Sequence, residues 1–271
     1  MGAGMLDVED LDRLTKILES RSIPMEVLEN MIELFNYHDH EGRELLFELL
    51  GEFQVCEFEQ YKKKGSELAE ALMQDVPSSV KTIVLLPLLD KVPASKSKSG
   101  DAIAWIMSRS LGRLAKATGR EFKMASQTIS AEIISRGDAT AFFMVDDYIG
   151  SGNTALGAVE GLVQQGVHAA QISVAAFVGM AEAGTRLASA GVRTIFLANL
   201  PKGISGSSRI SNKNYAIEVM LRMENKMKVG RRFELGYERT EALVLMCFCP
   251  NNTFPVFWWK GPTWGGYSRD E

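Results

Sequence analysis

Asp146 and Asp147 stand side by side at the end of an apolar run, and Gly150-Ser151-Gly152-Asn153-Thr154 follows two residues later, after Tyr148 and Ile149. The two halves suit different parts of one ligand. Gly150 and Gly152 let the backbone curl and aim successive N–H groups at an anion, and a helix starting here adds the partial positive charge of its N-terminus. Ser151, Asn153 and Thr154 supply further donors to phosphate oxygens. The carboxylates would repel a phosphate, so their natural partners are neutral hydroxyls or a divalent cation. A diol beside a phosphate is a sugar phosphate. An Asp-Asp pair that merely caps the next turn gives a similar short pattern, so the reading rests on the whole string.

Such a cradle needs a strand to carry the carboxylates and a helix to receive the loop. Residues 141–145 are apolar, and Leu156, Val159, Leu162 and Val163 recur at helical spacing behind the loop. From about residue 80 onward, short apolar runs alternate with amphipathic stretches, as a parallel sheet covered by helices requires. The expected strands are 82–86, 121–125, 141–146, 171–178 and 193–198. The expected helices are 101–118, 154–165 and 181–190, closed by Gly119, Gly166 and Gly191. This predicts a five-stranded, doubly wound α/β core, with the cradle outside the carboxyl ends of its strands.

Upstream, Leu11, Leu14, Ile17 and Leu18, then Val27, Leu28, Met31 and Ile32, then Leu45, Leu46, Leu49 and Leu50 predict three or four short helices. Tyr61 and the three lysines after it read as a solvated helix face. Past residue 200 the pattern predicts a loop at 203–208, a helix at 213–226, a strand at 241–248 and an aromatic tail at 249–267 that should cover something. The expected division is a helical extension over 1–76 and an α/β domain over 77–271.

The string VDDYIGSGNT, residues 145–154, resembles the signature of the phosphoribosyltransferase superfamily, and the resemblance covers roughly 80–198. It implies a Rossmann-like phosphoribosyltransferase fold of type I: a mainly parallel five-stranded sheet, its first strand central, with helices on both faces. It further implies that Asp146 and Asp147 hold the ribose hydroxyls of phosphoribosyl pyrophosphate (PRPP) and act in catalysis. Tyr148 and Gly150 to Thr154 would hold the ribose 5′-phosphate, and Mg²⁺ would be bound by the two aspartates through the substrate. The usual Thr-Thr-Gly-Gly-Thr loop is Gly-Ser-Gly-Asn-Thr here, and Tyr148 replaces a small aliphatic residue.

The rest of such a site is sought by position. After the first strand, Lys91, Lys96 and Lys98 precede Ser99-Gly100-Asp101 at a helix start, which suits a pyrophosphate loop or an ordinary exposed lysine loop. Only 126–140 separates the second and third strands, a reduced lid, in which Arg136 either reaches a phosphate or ends a turn. The tail is placed to form the C-terminal hood that covers the base in this superfamily. There Trp258 or Phe257 would stack on a base and Asn251 or Asn252 would bond its edge, or the same rings would line a core or an oligomer contact.

The NNTFPVFWW segment, 251–259, is similar to a divergent phosphoribosyltransferase-like branch of bacterial conflict and anti-phage systems, including retrons. That likeness implies a protein or ribonucleoprotein partner, such as a reverse transcriptase complex. A homo-oligomer stays open. Three functions follow: transfer or cleavage of a phosphoribosyl group, silent sensing of a nucleotide or sugar phosphate, and a partner-gated anti-phage effector.

Composition narrows the rest. At 271 residues and 46% hydrophobic content the chain can bury a sizeable core, and a net charge of −4 lacks the broad basic footprint of a duplex-binding protein. Arg222, Lys226, Lys228, Arg231 and Arg232 form a local basic patch, which suits either contact with RNA or single-stranded DNA at a partner interface or, more in keeping with this net charge, a solvated helix face. Cys56, Cys247 and Cys249 are too few for a disulfide framework, no signal peptide is evident, and a reducing cytoplasm is the expected setting. No apolar run approaches the ~18 residues of a membrane span. His38 and His40 lack nearby cysteine partners for a metal site. Cys247 and Cys249 are expected on one side of a strand.

Overall fold

Helical spacing of apolar residues places Leu14 and Leu18 on one face of α1 (Val8–Ser20), where both are buried. Asp7 caps that helix by accepting the Asp10 N–H, and Asp39 caps α3 (His40–Leu50) through the Gly42 N–H. Between them, α2 (Leu28–Tyr37) buries Met31, Leu34 and Phe35. A two-residue strand, β1 (Gln54–Val55), follows α3. The computed structural model describes residues 5–88, 99–125, 130–134, 136–263 and 266–267.

The next stretch builds the sheet. In chain order it comprises α4 (Phe58–Gln74), β2 (Thr82–Pro87), α5 (Ser99–Ala117), β3 (Glu121–Met124), α6 (Ala131–Ile134), β4 (Thr140–Ile149), α7 (Asn153–Gln164), β5 (Ile172–Met180), α8 (Ala181–Ser189) and β6 (Arg193–Leu200). The five strands β2 to β6 are all parallel, in the order β3-β2-β4-β5-β6. Every residue of β2 and β5 is buried, which is why both read as unbroken apolar runs rather than alternating ones. The edge strand β3 is partly exposed. The expected α/β fold class is the one observed, with one change of order: the middle strand is β4, which carries the acidic pair, and the first strand of the sheet, β2, lies beside it.

That order creates a switch point. From β2 the chain moves through α5 to one edge, and from β4 it moves through α7 and α8 towards the other. Right-handed crossovers therefore put α5 and the pair α7 and α8 on opposite faces. Helix α5 packs along β2, β3 and β4. Where neighbouring connections diverge, the carboxyl ends of the strands leave a crevice. β4 exploits it by outrunning β2: its pairing with β2 ends at Val145, opposite Pro87, while its pairing with β5 continues to Ile149. The strand is thus longer than the expected 141–146, and Asp146 and Asp147 lie within it, Asp146 paired with Ala176 of β5 and neither with β2.

After β6 the chain supplies α9 (Lys213–Lys226), which packs on α3, and β7 (Val244–Leu245), which pairs in parallel with β1. Residues up to Phe58 and those from Pro201 onward form one compact unit, and Glu59–Leu200 forms the other. The boundaries expected at 1–76 and 77–271 are therefore displaced. Helix α4 belongs with the sheet apart from its first residue, and the C-terminal segment joins the N-terminal helices in one core containing Leu14, Phe35, Phe47, Met220, Phe254 and Phe257. The strand expected at 241–248 shrinks to two residues, preceded by Glu241 in a left-handed conformation (φ 51°). Cys247 is exposed and Cys249 buried, so the pair does not share a strand face.

Candidate functional site

The acidic pair sits at the switch point. Asp146 Oδ1 accepts the Ser99 hydroxyl at 2.6 Å and the Asp147 backbone N–H at 2.9 Å. Ser99 opens α5, and its neighbour Gly100 is pressed against the ends of both strands: a Cβ there would stand 2.8 Å from the Leu88 carbonyl oxygen and 3.2 Å from that of Val145. A side chain at position 100 would push α5 away from the crevice, so this glycine is what lets Ser99 reach β4. Burial, then the adjacent Asp147 carboxylate, push the Asp146 carboxyl well above the usual range, against the pull of the two hydrogen bonds.

Asp147 is buried and Asp146 half-buried, and Asp147 Oδ2 accepts the Tyr61 hydroxyl at 2.8 Å. Tyr61 lies on α4, buried, with its ring edge-on to Phe177 of β5 at 5.2 Å between centroids. The reading of this position as part of a solvated face is corrected: Tyr61, Gly65, Leu68, Ala69 and Leu72 form the buried face of α4, and the lysines occupy the others. That i, i+4, i+7 spacing was visible in the sequence, masked by the charge run beside it.

The turn after β4 has the form an anion site requires. Of its two glycines, Gly152 adopts the left-handed conformation (φ 82°) and stands at the N-cap of α7 without a side-chain cap, so the first N–H groups of the helix point into the turn. A Cβ on Gly152 would also meet Ala183 Cβ at 3.2 Å. Asn153 and Thr154 are exposed on the first turn, Ser151 and Tyr148 half-buried. Arg186 of α8, which the sequence did not single out, braces the turn by donating to the Ser151 carbonyl and to Asn153 Oδ1, each at 2.7 Å.

The remaining expected residues divide sharply. Ser99 and Gly100 are brought to Asp146, whereas Lys91, Lys96 and Lys98 lie outside the described residues. Arg136 does not serve a phosphate: its guanidinium is paired with Glu121 and donates to Thr82 Oγ1. Those two residues begin β3 and β2, at the opposite end of the strands from the acidic pair.

The hood residues are also corrected. Phe257 is fully buried, edge-on to Phe53 at 4.9 Å and stacked with Tyr267 at 5.9 Å. Trp258 donates its indole N–H to the Thr253 carbonyl at 2.7 Å, and Asn252 donates its amide to Tyr237 O and Thr240 Oγ1. These groups are consumed by their own core, the alternative that dense aromatics had left open. In the same unit His38 is buried and pushed down to about 4, by burial first and Lys226 second, while His40 is exposed. Among the described residues no three His, Cys, Asp or Glu side chains cluster as a metal site. None of the described helices is long and apolar enough to cross a membrane.

A parallel α/β sheet with an acidic pair and a glycine-turned helix N-terminus at its switch point is the arrangement that the resemblance to phosphoribosyltransferases implies. The chain matches the PRTase-CE family model over residues 27–266 and belongs to that family. Among curated proteins none matches it. Similar solved structures include a phosphoribosyltransferase from Corynebacterium diphtheriae, with 16% identity, a TM-score of 0.34, and coverage of 70% of this chain and 96% of that one. Another is the orotate phosphoribosyltransferase of Mycobacterium tuberculosis H37Rv in complex with PRPP, with 19% identity, a TM-score of 0.33, and coverage of 60% and 82%. A third is the hypoxanthine-guanine phosphoribosyltransferase of Schistosoma mansoni in complex with IMP, with 15% identity, a TM-score of 0.34, and coverage of 53% and 65%.

Proposed function

We propose that the protein binds PRPP or a nucleotide at the end of β4 and transfers or cleaves the phosphoribosyl group at its anomeric carbon. The observation that carries this reading is the single run from Asp146 to Asn153, in which a half-buried and a buried carboxylate are followed by a glycine-turned helix N-terminus. The N–H groups of the turn and the hydroxyls of Ser151 and Thr154 bind the 5′-phosphate. Asp146 and Asp147 accept from the ribose hydroxyls, which fixes the sugar with its anomeric carbon facing the crevice. Ser99 and Gly100, at the N-terminus of α5, offer donors to the diphosphate. As the bond from the anomeric carbon to the leaving group breaks, the electron pair departs with that group, a lone pair of the acceptor base or of water forms the new bond at that carbon and its proton is lost to solvent, and the fixed donors stabilise the departing charge without reorganising.

Two adjacent carboxylates are hard oxygen donors that suit Mg²⁺. Asp146 and Asp147 would hold it together with the ligand's own oxygens, and when bound it neutralises diphosphate charge.

A second reading, a catalytically silent sensor of a nucleotide or sugar phosphate, is favoured by the burial of Asn252, Phe257 and Trp258. That burial removes the acceptor-recognition groups the transfer reading had placed in the tail. An anti-phage role with a reverse transcriptase complex as partner rests on the likeness of the 251–259 segment. In the basic patch offered for such a partner, Arg222 is paired with Glu41 and Lys226 covers the Tyr37 ring at 4.1 Å.

Calorimetry with PRPP and nucleotides, run beside a pyrophosphate-release assay, tests the proposal. Binding with turnover, both weakened at least about tenfold in Asp146→Asn and Asp147→Asn, is the expected result. Binding without turnover for any base selects the sensor. Unchanged PRPP binding in both variants refutes the site.

A further inference from the structure

We infer that Tyr61, carried on α4 ahead of the sheet, is a positioning residue for Asp147, so that this helix completes the acidic pair. The inference rests on the reading of Asp147 as an acceptor for a ribose hydroxyl. Its basis is the geometry around one hydroxyl group. Tyr61 donates to Asp147 Oδ2 at 2.8 Å, across 86 residues of chain, and both side chains are buried. A charge-assisted bond of this kind is about twice as strong as a neutral one.

The hydroxyl is held in place from two sides. The Tyr61 ring packs edge-on against Phe177 at 5.2 Å, and Phe177 directly follows Ala176, the register partner of Asp146 on β5. One helical turn along the same face, Gly65 lets α4 approach α5 closely, since a Cβ there would stand 2.9 Å from Ile106 Cγ2. The position of the phenol is therefore set by helix packing and by the strand beside the carboxylates.

A carboxylate held by a single bond to its own backbone can rotate, and a rotating acceptor must be ordered when a ligand arrives. A fixed donor on Oδ2 sets the carboxylate plane and with it the direction of Oδ1. A tyrosine present only to fill space would be replaced by phenylalanine without effect on the ligand.

The test is calorimetry on the full chain with two probes, ribose 5-phosphate and inorganic phosphate, for the wild type, Y61F, D147N and Y61F/D147N. Y61F is expected to weaken ribose 5-phosphate about tenfold and to leave inorganic phosphate within about twofold. The double variant is expected to match D147N alone within about twofold, because the hydroxyl acts through the carboxylate. Y61F that binds ribose 5-phosphate normally while D147N does not overturns the inference. So does equal loss of both probes in Y61F, which reports damage to the fold, and so do losses that add in full. Should D147N itself bind ribose 5-phosphate normally, the ribose reading falls first, and that arm identifies the failure as its own.

Discussion

The Ser99 hydroxyl donates to Asp146 Oδ1 at 2.6 Å, joining the first residue of α5 to the strand on the far side of the switch point. The bond is one of two that lower a carboxyl otherwise raised by burial and by Asp147. Ligands that need Asp146 ionised bind better as pH rises through its elevated pKa. Ser99→Ala removes a bond to the charged form and raises that pKa further. Ribose 5-phosphate affinity, followed from pH 5 to 9, is expected to show its rise at higher pH in Ser99→Ala than in the wild type. An unchanged profile would mean that Asp146 does not control binding.

Gly152 combines a left-handed backbone with a near neighbour, Ala183. Gly152→Ala meets both penalties, and a loss of about 1–2 kcal/mol in denaturant unfolding is expected. Because the strain falls on the N-cap of α7, inorganic phosphate should bind at least about tenfold more weakly, as when donors to a charged group are lost. Normal phosphate affinity in a destabilised Gly152→Ala chain would place the anion elsewhere.

Arg186 holds the same turn from outside through Ser151 O and Asn153 Oδ1. Being exposed, it should matter little to stability. Arg186→Ala is expected to weaken phosphate several-fold with the melting temperature nearly unchanged, and Arg186→Lys to restore only part, since an ammonium keeps the charge but not the fork. Full rescue by lysine would show that charge alone, not the brace, is what the turn uses.

Glu224 in α9 is buried and accepts the Leu235 N–H at 2.9 Å, and burial pushes its carboxyl up to about 8. The folded state therefore holds a proton that the unfolded state has already released above its ordinary pKa of 4.5. Stability from this group is full below that value and is lost as pH rises towards about 8, with a limiting slope of roughly 1.4 kcal/mol per pH unit. Glu224→Gln has no such proton to lose. Urea unfolding at pH 5, 7 and 9 should show the variant gaining on the wild type at each step, and parallel pH profiles would refute the assignment.

The strands and the turn were legible because their signals are local. Continuous apolar runs announce buried parallel strands, and the acidic pair with its glycines lies within ten residues. β4 was read three residues short at its carboxyl end because Asp146 and Asp147 look like a strand's end, while the pairing of Asp146, Tyr148 and Ile149 with β5 carries the ladder past them. The aromatic tail showed that something must be covered, yet a stacking platform and a core filler have the same composition. Only packing separates them, and Phe257 packs on Phe53 and Tyr267.

By itself, the sequence determined the sheet class, the glycine turn and the acidic pair, all of which follow from hydrophobic period and backbone chemistry over short spans. Tertiary structure alone decided what those groups touch: Ser99 on Asp146, Tyr61 on Asp147 and Arg186 on Asn153. Each contact spans more than thirty residues and depends on the order of strands and the face each helix turns inward. The physical reason is that side-chain partners are chosen by the packing of whole elements, which no local pattern encodes.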